Sequence, residues 1–173
     1  MSSSIYKKLG MAALIMMASV FLSRLAGFFR LVVIAYIGGR SAEVDAYQVA
    51  FVLPEILNHI VASGFLSITF IPIFSRYLAD RREADGWNVF SVIFSSFGLL
   101  LLLLIAIGMI YAPDIAALIA RGRTEPVFQQ DVIRMTRIIL PVQFFFFGGG
   151  LFMAVQFAKE KFLIPALAPL IYN

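Results

Sequence analysis

The chain has 173 residues, of which 61% are hydrophobic and only 14% charged, with a mean hydropathy of +0.93. A soluble chain carries about a quarter charged residues, so this composition excludes a water-soluble domain and identifies an all-α polytopic membrane protein. There is no cysteine and His59 is the single histidine, which removes disulfides, thiolate chemistry and Cys- or His-rich metal sites; the scattered net charge of +4 excludes a nucleic-acid surface.

Four apolar stretches reach the ~20 residues that cross ~30 Å of hydrocarbon. The first covers about residues 9–37 and closes on Gly38-Gly39. It is too long for a signal-peptide core and is read as a retained transmembrane helix. The second covers about residues 44–74 and contains Pro54, Gly64 and Pro72. Both exceed a simple span by about ten residues, a surplus that tilt or breaks at glycine and proline absorb. The third, about 89–112, is apolar all round and is expected to face lipid. The fourth, about 132–158, includes PVQFFFFGGG; its glycines follow four phenylalanines inside a helix, which fits close helix packing rather than a phosphate-binding loop. A fifth begins near residue 162, and the chain stops at Asn173 roughly three turns later. Residues 1–173 therefore read as an N-terminal fragment with four complete spans and the start of a fifth.

Loop cations predict the orientation. Lys7 and Lys8 precede the first segment, Arg76, Arg81 and Arg82 follow the second, and Lys159 and Lys161 precede the fifth, seven on one side. The opposite connections hold Arg40, Arg121 and Arg123, three in all, with Arg134 and Arg137 just inside the fourth segment. The seven-cation side is expected to be cytoplasmic, N-terminus included, and the loop from Pro113 to Asp131 external.

Ionisable side chains within the membrane cost roughly 2.5–3.5 kcal/mol each even on insertion scales, and they persist where they meet a cavity or a partner. In the stretch SRLAGFFR, Arg24 and Arg30 stand about 9 Å apart along a helix and roughly 120° around it. Gly27 between them is a candidate flex point. Two guanidiniums in a cavity suit a phosphate or diphosphate, because each donates bidentate hydrogen bonds and neither deprotonates. Two other readings stay open: either arginine neutralising Asp45 or Glu55 across a helix interface, and snorkelling of the heads to the interface. Asp45, Glu55, Asn58 and His59 in the second segment are further cavity or gating candidates, with Gly64 as a second flex point. Glu55, directly after Pro54, also fits a helix first turn. His59 fits packing within the bundle as well as proton transfer. Arg134 and Arg137, at i and i+3, share a face that suits the outer interface.

Four stretches, SRLAGFFR, VDAYQVAFVLPEIL, FIPIFSRYLA and FLIPALAPLIYN, resemble in order and spacing the MurJ (MviN) lipid II flippases of the multidrug/oligosaccharidyl-lipid/polysaccharide exporter superfamily. The resemblance runs over essentially the whole chain and corresponds to the N-terminal third of such a protein. It implies a transporter of about fourteen helices, with two six-helix lobes around a central cationic cavity, the repeat-built plan of many transporters. It also implies alternating access in a bacterial inner membrane. The cargo would be lipid II or a related polyprenyl-diphosphate glycan, with membrane lipids and cell-wall synthesis machinery as neighbours and with no enzyme chemistry, cofactor or metal. Arg24 and Arg30 match two of the family's diphosphate-binding arginines, Asp45 its TDAF-like acidic position, and Pro54 and Pro165 its prolines.

The chain also departs from the family pattern. Leu31 stands where the family has Asp, Glu55 where it has Asn, Asn58 where it has Arg, and Ser63-Gly64 where it has an acidic-Gly pair. These changes leave room for a second reading, an exporter of another polyprenyl-diphosphate glycan of the O-antigen or exopolysaccharide type. A membrane glycosyl- or phosphotransferase is a third reading. It would need clustered acids in a cytoplasmic loop, and the one candidate loop intersperses Asp80, Glu83 and Asp85 with Arg76, Arg81 and Arg82, a pattern that reads as a solvated charge run.

Overall fold

A computed structural model describes the backbone of residues 2–39, 41–62 and 69–172, and the side chains of these except 2–9, 12, 60–62, 169 and 172. The candidate flex point Gly64 and its neighbour Ser63 lie outside the described residues. Helix α1 (Ser2–Gly38) is a single element of 37 residues, continuous through Gly27. A lone glycine costs a helix about 1 kcal/mol relative to alanine but does not end it.

The stretch 44–74, expected as one span, is divided into α2 (Ala42–Ala50), α3 (Val52–Ala62) and α4 (Ile71–Ala79). Pro54 explains the first division. It has no N–H for the carbonyl of Ala50, and its ring crowds that carbonyl, so the helix stops at Ala50 and resumes at Val52. Beyond α4 come α5 (Glu83–Ile110), α6 (Ala112–Ile119), α7 (Pro126–Ile139), α8 (Val142–Ala158) and α9 (Leu163–Tyr172), with no strand among the described residues. Helix α5 starts ahead of the predicted third segment because Glu83 and Asp85 supply a first turn that suits the helix dipole. The loop expected over Pro113–Asp131 contains α6, with Pro113 in its first turn. Among the described residues three stretches are long and apolar enough to cross a membrane: Ala13–Gly38, Glu83–Ile110, and Pro126–Ala158, the last made of α7 and α8.

Helix α1 packs mainly along α9, α2 lies against α7, and α8 contacts α3, α4 and α5. Three core clusters follow one another along the bundle. Phe70, Phe74, Phe90, Leu151, Ala154 and Val155 form the first. Leu57, Leu101, Ile105, Leu140 and Phe147 form the second, and Ala46, Ala116, Ala120, Phe128 and Val132 the third. The close helix approach expected at Gly148–Gly150 is met at Gly148, where a Cβ would come within 3.4 Å of Phe94 on α5, and the glycines of α5 add closer approaches. A Cβ on Gly108 would come within 3.2 Å of Leu140 and one on Gly98 within 3.3 Å of Phe144, whereas one on Gly149 would meet nothing within 4 Å.

The connections α4–α5 and α8–α9 meet at one end of the bundle, as the loop cations led us to expect of two segments on one side. There the Lys159 ammonium pairs with the Glu83 carboxylate and sits 5.4 Å from the Trp87 ring centre. Both connections turn through a left-handed non-glycine residue, Arg81 with φ 58° and Glu160 with φ 57°. Each is closed by the same backbone bond, Arg82 N–H to Tyr77 O at 2.8 Å and Lys161 N–H to Gln156 O at 2.8 Å, the six-to-one link of a Schellman cap.

Candidate functional site

Arg24 and Arg30 are both exposed on α1, among the exposed apolar side chains of Phe21, Leu22, Phe28, Phe29 and Leu31. Among the described residues neither makes an ion pair. Gly27 between them is half-buried. The only buried residues described on α1 are small, Ser19 and Ser23; short side chains of this kind let two helices approach closely. Neither arginine meets Asp45 or Glu55, the partners that the ion-pairing reading required.

Asp45 pairs instead with Arg123, a residue of the α6–α7 connection, at 2.6 Å between its Oδ2 and the guanidinium. Three features fix this contact. Ser41 caps α2 by accepting from the Val44 N–H at 3.4 Å, which sets Asp45 in the first turn of that helix. The Arg123 guanidinium lies 5.1 Å from the Phe128 ring centre. The Gln129 amide donates to the Arg123 carbonyl at 2.7 Å, holding the turn that presents the guanidinium. Beside this pair the Glu43 carboxylate is held below its usual range by its own backbone N–H and by the Ser41 hydroxyl. Both side chains of the pair remain 44% exposed, so it contributes only about 0–1 kcal/mol to stability.

Two clefts flank the pair. One, of about 260 Å³, is lined by Asp45, Gln48, Val49, Arg123 and Phe128 among others. The other, of about 330 Å³, lies between α1 and α2 and is lined by Leu31, Ile34, Ala35, Asp45, Gln48 and Arg123 among others. Leu31 thus lines the same space as Asp45. Arg24 precedes Leu31 by seven residues, two turns along the same helix face, whereas Arg30 lies about 100° round from it.

The remaining sequence candidates are spread over α3. Glu55 lies exposed in its first turn, and Asn58 and His59 are exposed one turn further on. Arg137 of α7 donates from Nε to the Met109 carbonyl at 3.1 Å, serving the C-terminal end of α5 rather than standing free. Among the described residues no group of three or more His, Asp or Glu could hold a metal ion. The residue that sequence reasoning passed over is Arg123, which it counted only as a loop cation. No local pattern links it to Asp45, because the two come together only when α7 packs on α2.

The family model described as lipid II flippase MurJ matches residues 34–173. A probable lipid II flippase MurJ of Thermotoga maritima is 30% identical over 155 residues, which is 88% of this chain and 32% of that protein. One from Buchnera aphidicola subsp. Baizongia pistaciae is 33% identical over 156 residues, 88% of this chain and 30% of its own length. The lipid II flippase MurJ of Thermosipho africanus is 27% identical over 157 residues, 90% of this chain and 32% of that protein. The chain spans about a third of the length of the curated relatives it matches. No solved structure matches it.

Proposed function

The chain belongs to the MurJ family, and from that premise we propose that it forms the N-terminal lobe of a flippase. Its cargo is lipid II, an undecaprenyl-diphosphate-linked peptidoglycan precursor, moved across the bacterial inner membrane by alternating access with the N-terminus in the cytoplasm. The observation that carries this reading is the pair Arg24 and Arg30. By the sequence resemblance both would correspond to the family's diphosphate-binding arginines, and both are exposed on α1 with no ion pair among the described residues. Unpaired guanidiniums on an apolar helix need an anionic partner, because leaving them in lipid is costly. A lipid diphosphate supplies two phosphates for bidentate contact, while its isoprenoid tail stays in hydrocarbon. Positioning and charge compensation are then all that the protein supplies, and no bond is made or broken. Cell-wall synthesis machinery is the neighbour such a cargo implies.

A second reading keeps the mechanism and changes the sugar. Leu31 lines the cleft beside Asp45 at a position where family members carry a carboxylate, which favours a related polyprenyl-diphosphate glycan in place of lipid II. Comparison of lipid II with a polyprenyl-diphosphate glycan lacking the peptide, in the same translocation assay, separates the two.

The test of the site is translocation by Arg24→Ala and Arg30→Ala variants of the complete gene product, matched for amount in the membrane. Losing one charge-assisted phosphate contact, worth about 1.5–3 kcal/mol, lowers the rate about 10- to 100-fold. Normal translocation in both variants sinks the diphosphate-clamp reading.

A further inference from the structure

We propose that Arg123 is a further cargo-binding residue, a cationic station at the outer end of α1 at which the lipid diphosphate replaces Asp45 as the partner of its guanidinium. This rests on the flippase reading above and adds to it a residue that neither the sequence motifs nor the two α1 arginines include. The station is built from four elements. α1 contributes Leu31, Ile34 and Ala35 to one wall of the 330 Å³ cleft, α2 contributes Asp45 and Gln48, and the α6–α7 connection contributes Arg123. α7 holds that connection in place through Phe128 and Gln129.

The placement accounts for the direction of travel. Leu31, Ile34 and Ala35 share one face of α1 at i, i+3 and i+4, and Arg24 lies on that face two turns earlier. An anion leaving Arg24 toward the end where α1 finishes meets the Arg123 cleft along the same face. The Asp45 pair makes the station exchangeable. It uses one guanidinium nitrogen of a side chain with five donors, it is 44% exposed on both sides, and a diphosphate, with one negative charge on each of its two phosphates, competes well with a single half-solvated carboxylate. Gln48, on the cleft wall beside Asp45, supplies two amide donors for the same anion. When the diphosphate departs, Asp45 re-forms the pair, so the station empties without leaving a bare guanidinium.

The experiment compares Arg123→Ala, Arg123→Lys and the charge-swapped double variant Asp45→Arg/Arg123→Asp in the complete gene product, with lipid II translocation and its inhibition by inorganic diphosphate as readouts. Arg24→Ala is the reference. Arg123→Ala is expected to translocate about tenfold more slowly, with a correspondingly higher inorganic diphosphate concentration needed for inhibition. The swapped variant is expected to stay slow although its ion pair is restored. Arg123→Lys keeps a cation for Asp45 but loses the bidentate fork. It is expected to raise KM for the lipid with the unfolding midpoint unchanged, and this remains readable should the swapped variant fail to fold. Recovery of the wild-type rate by the swap, or an unchanged KM in Arg123→Lys, overturns the proposal and makes the pair structural. Slow translocation in Arg24→Ala with a normal Arg123→Ala removes only the station. Normal rates in Arg24→Ala and Arg30→Ala together with Arg123→Ala remove the flippase site itself.

Discussion

The two ends of the bundle use the same surface chemistry over different packing. At one end Lys159 stacks on Trp87 and pairs with Glu83; at the other Arg123 stacks on Phe128 and pairs with Asp45. Beneath the lysine lie rings: Phe74 and Trp87 meet edge-to-face at 5.7 Å and Trp87 and Phe90 at 5.3 Å, while Phe70 and Phe74 lie tilted at 5.5 Å. Beneath the arginine lie Ala46, Ala116 and Ala120. Large rings fill the space between helices and turn the charge pair into a strap across two connections. Ala46 on α2 and Ala116 and Ala120 at the end of α6 let these elements pack closely with Phe128 and Val132 of α7, and beside them the Asp45–Arg123 pair opens onto two clefts. Both triplets border open space: the Glu83–Lys159 pair lines a cleft of about 650 Å³ between the α4–α5 and α8–α9 connections, and the Asp45–Arg123 pair lines the two smaller ones. What differs is the packing underneath, large rings at one end and small side chains at the other.

That contrast can be broken in three ways, the largest first. Phe74→Ala removes a fully buried ring at the aromatic end. By van der Waals loss and the cavity left behind it is expected to cost about 3–5 kcal/mol, read as a fall in the thermal unfolding midpoint of the purified protein; a loss below 1 kcal/mol would mean that the rings do not hold this end together. Ala46→Leu overfills the alanine end, where Ala46 is fully buried. It is expected to cost about 1–3 kcal/mol and to displace Asp45 from Arg123, so its translocation defect should exceed that of Phe74→Ala at equal stability. The smallest effect comes from the turns at the aromatic end. Glu160→Gly or Arg81→Gly relieves a left-handed non-glycine backbone at some entropic cost in the unfolded chain. A net stabilisation of about 0.5 kcal/mol is expected, with translocation unchanged, and a destabilised glycine variant would show that the side chains at these turns contribute more than the strain costs.

Much of this was legible without coordinates. In a membrane each helix must satisfy its own backbone hydrogen bonds, since lipid offers none, and so apolar length alone locates α1, α5 and the α7–α8 stretch. Loop cations foretold that the connections around Arg81 and Lys159 share an end. Proline chemistry divides the second segment at a place that Pro54 marks in the sequence, although its apolar length read as one span. The sequence also singled out Arg24, Arg30 and Asp45 as charges needing an explanation.

What the sequence by itself determined is therefore the solvent, the helices and the list of costly charges, because each follows from local composition. Which charge meets which was decided only by tertiary structure. Asp45 had Arg24 and Arg30 as its nearest cationic candidates along the chain inside the membrane, yet it pairs with Arg123, since α2 packs against α7 while α1 turns most of its contact toward α9. The spacing of residues along one helix cannot encode that choice. It depends on the small side chains of Ala46, Ala116 and Ala120, which bring two distant elements close enough for a guanidinium and a carboxylate to touch.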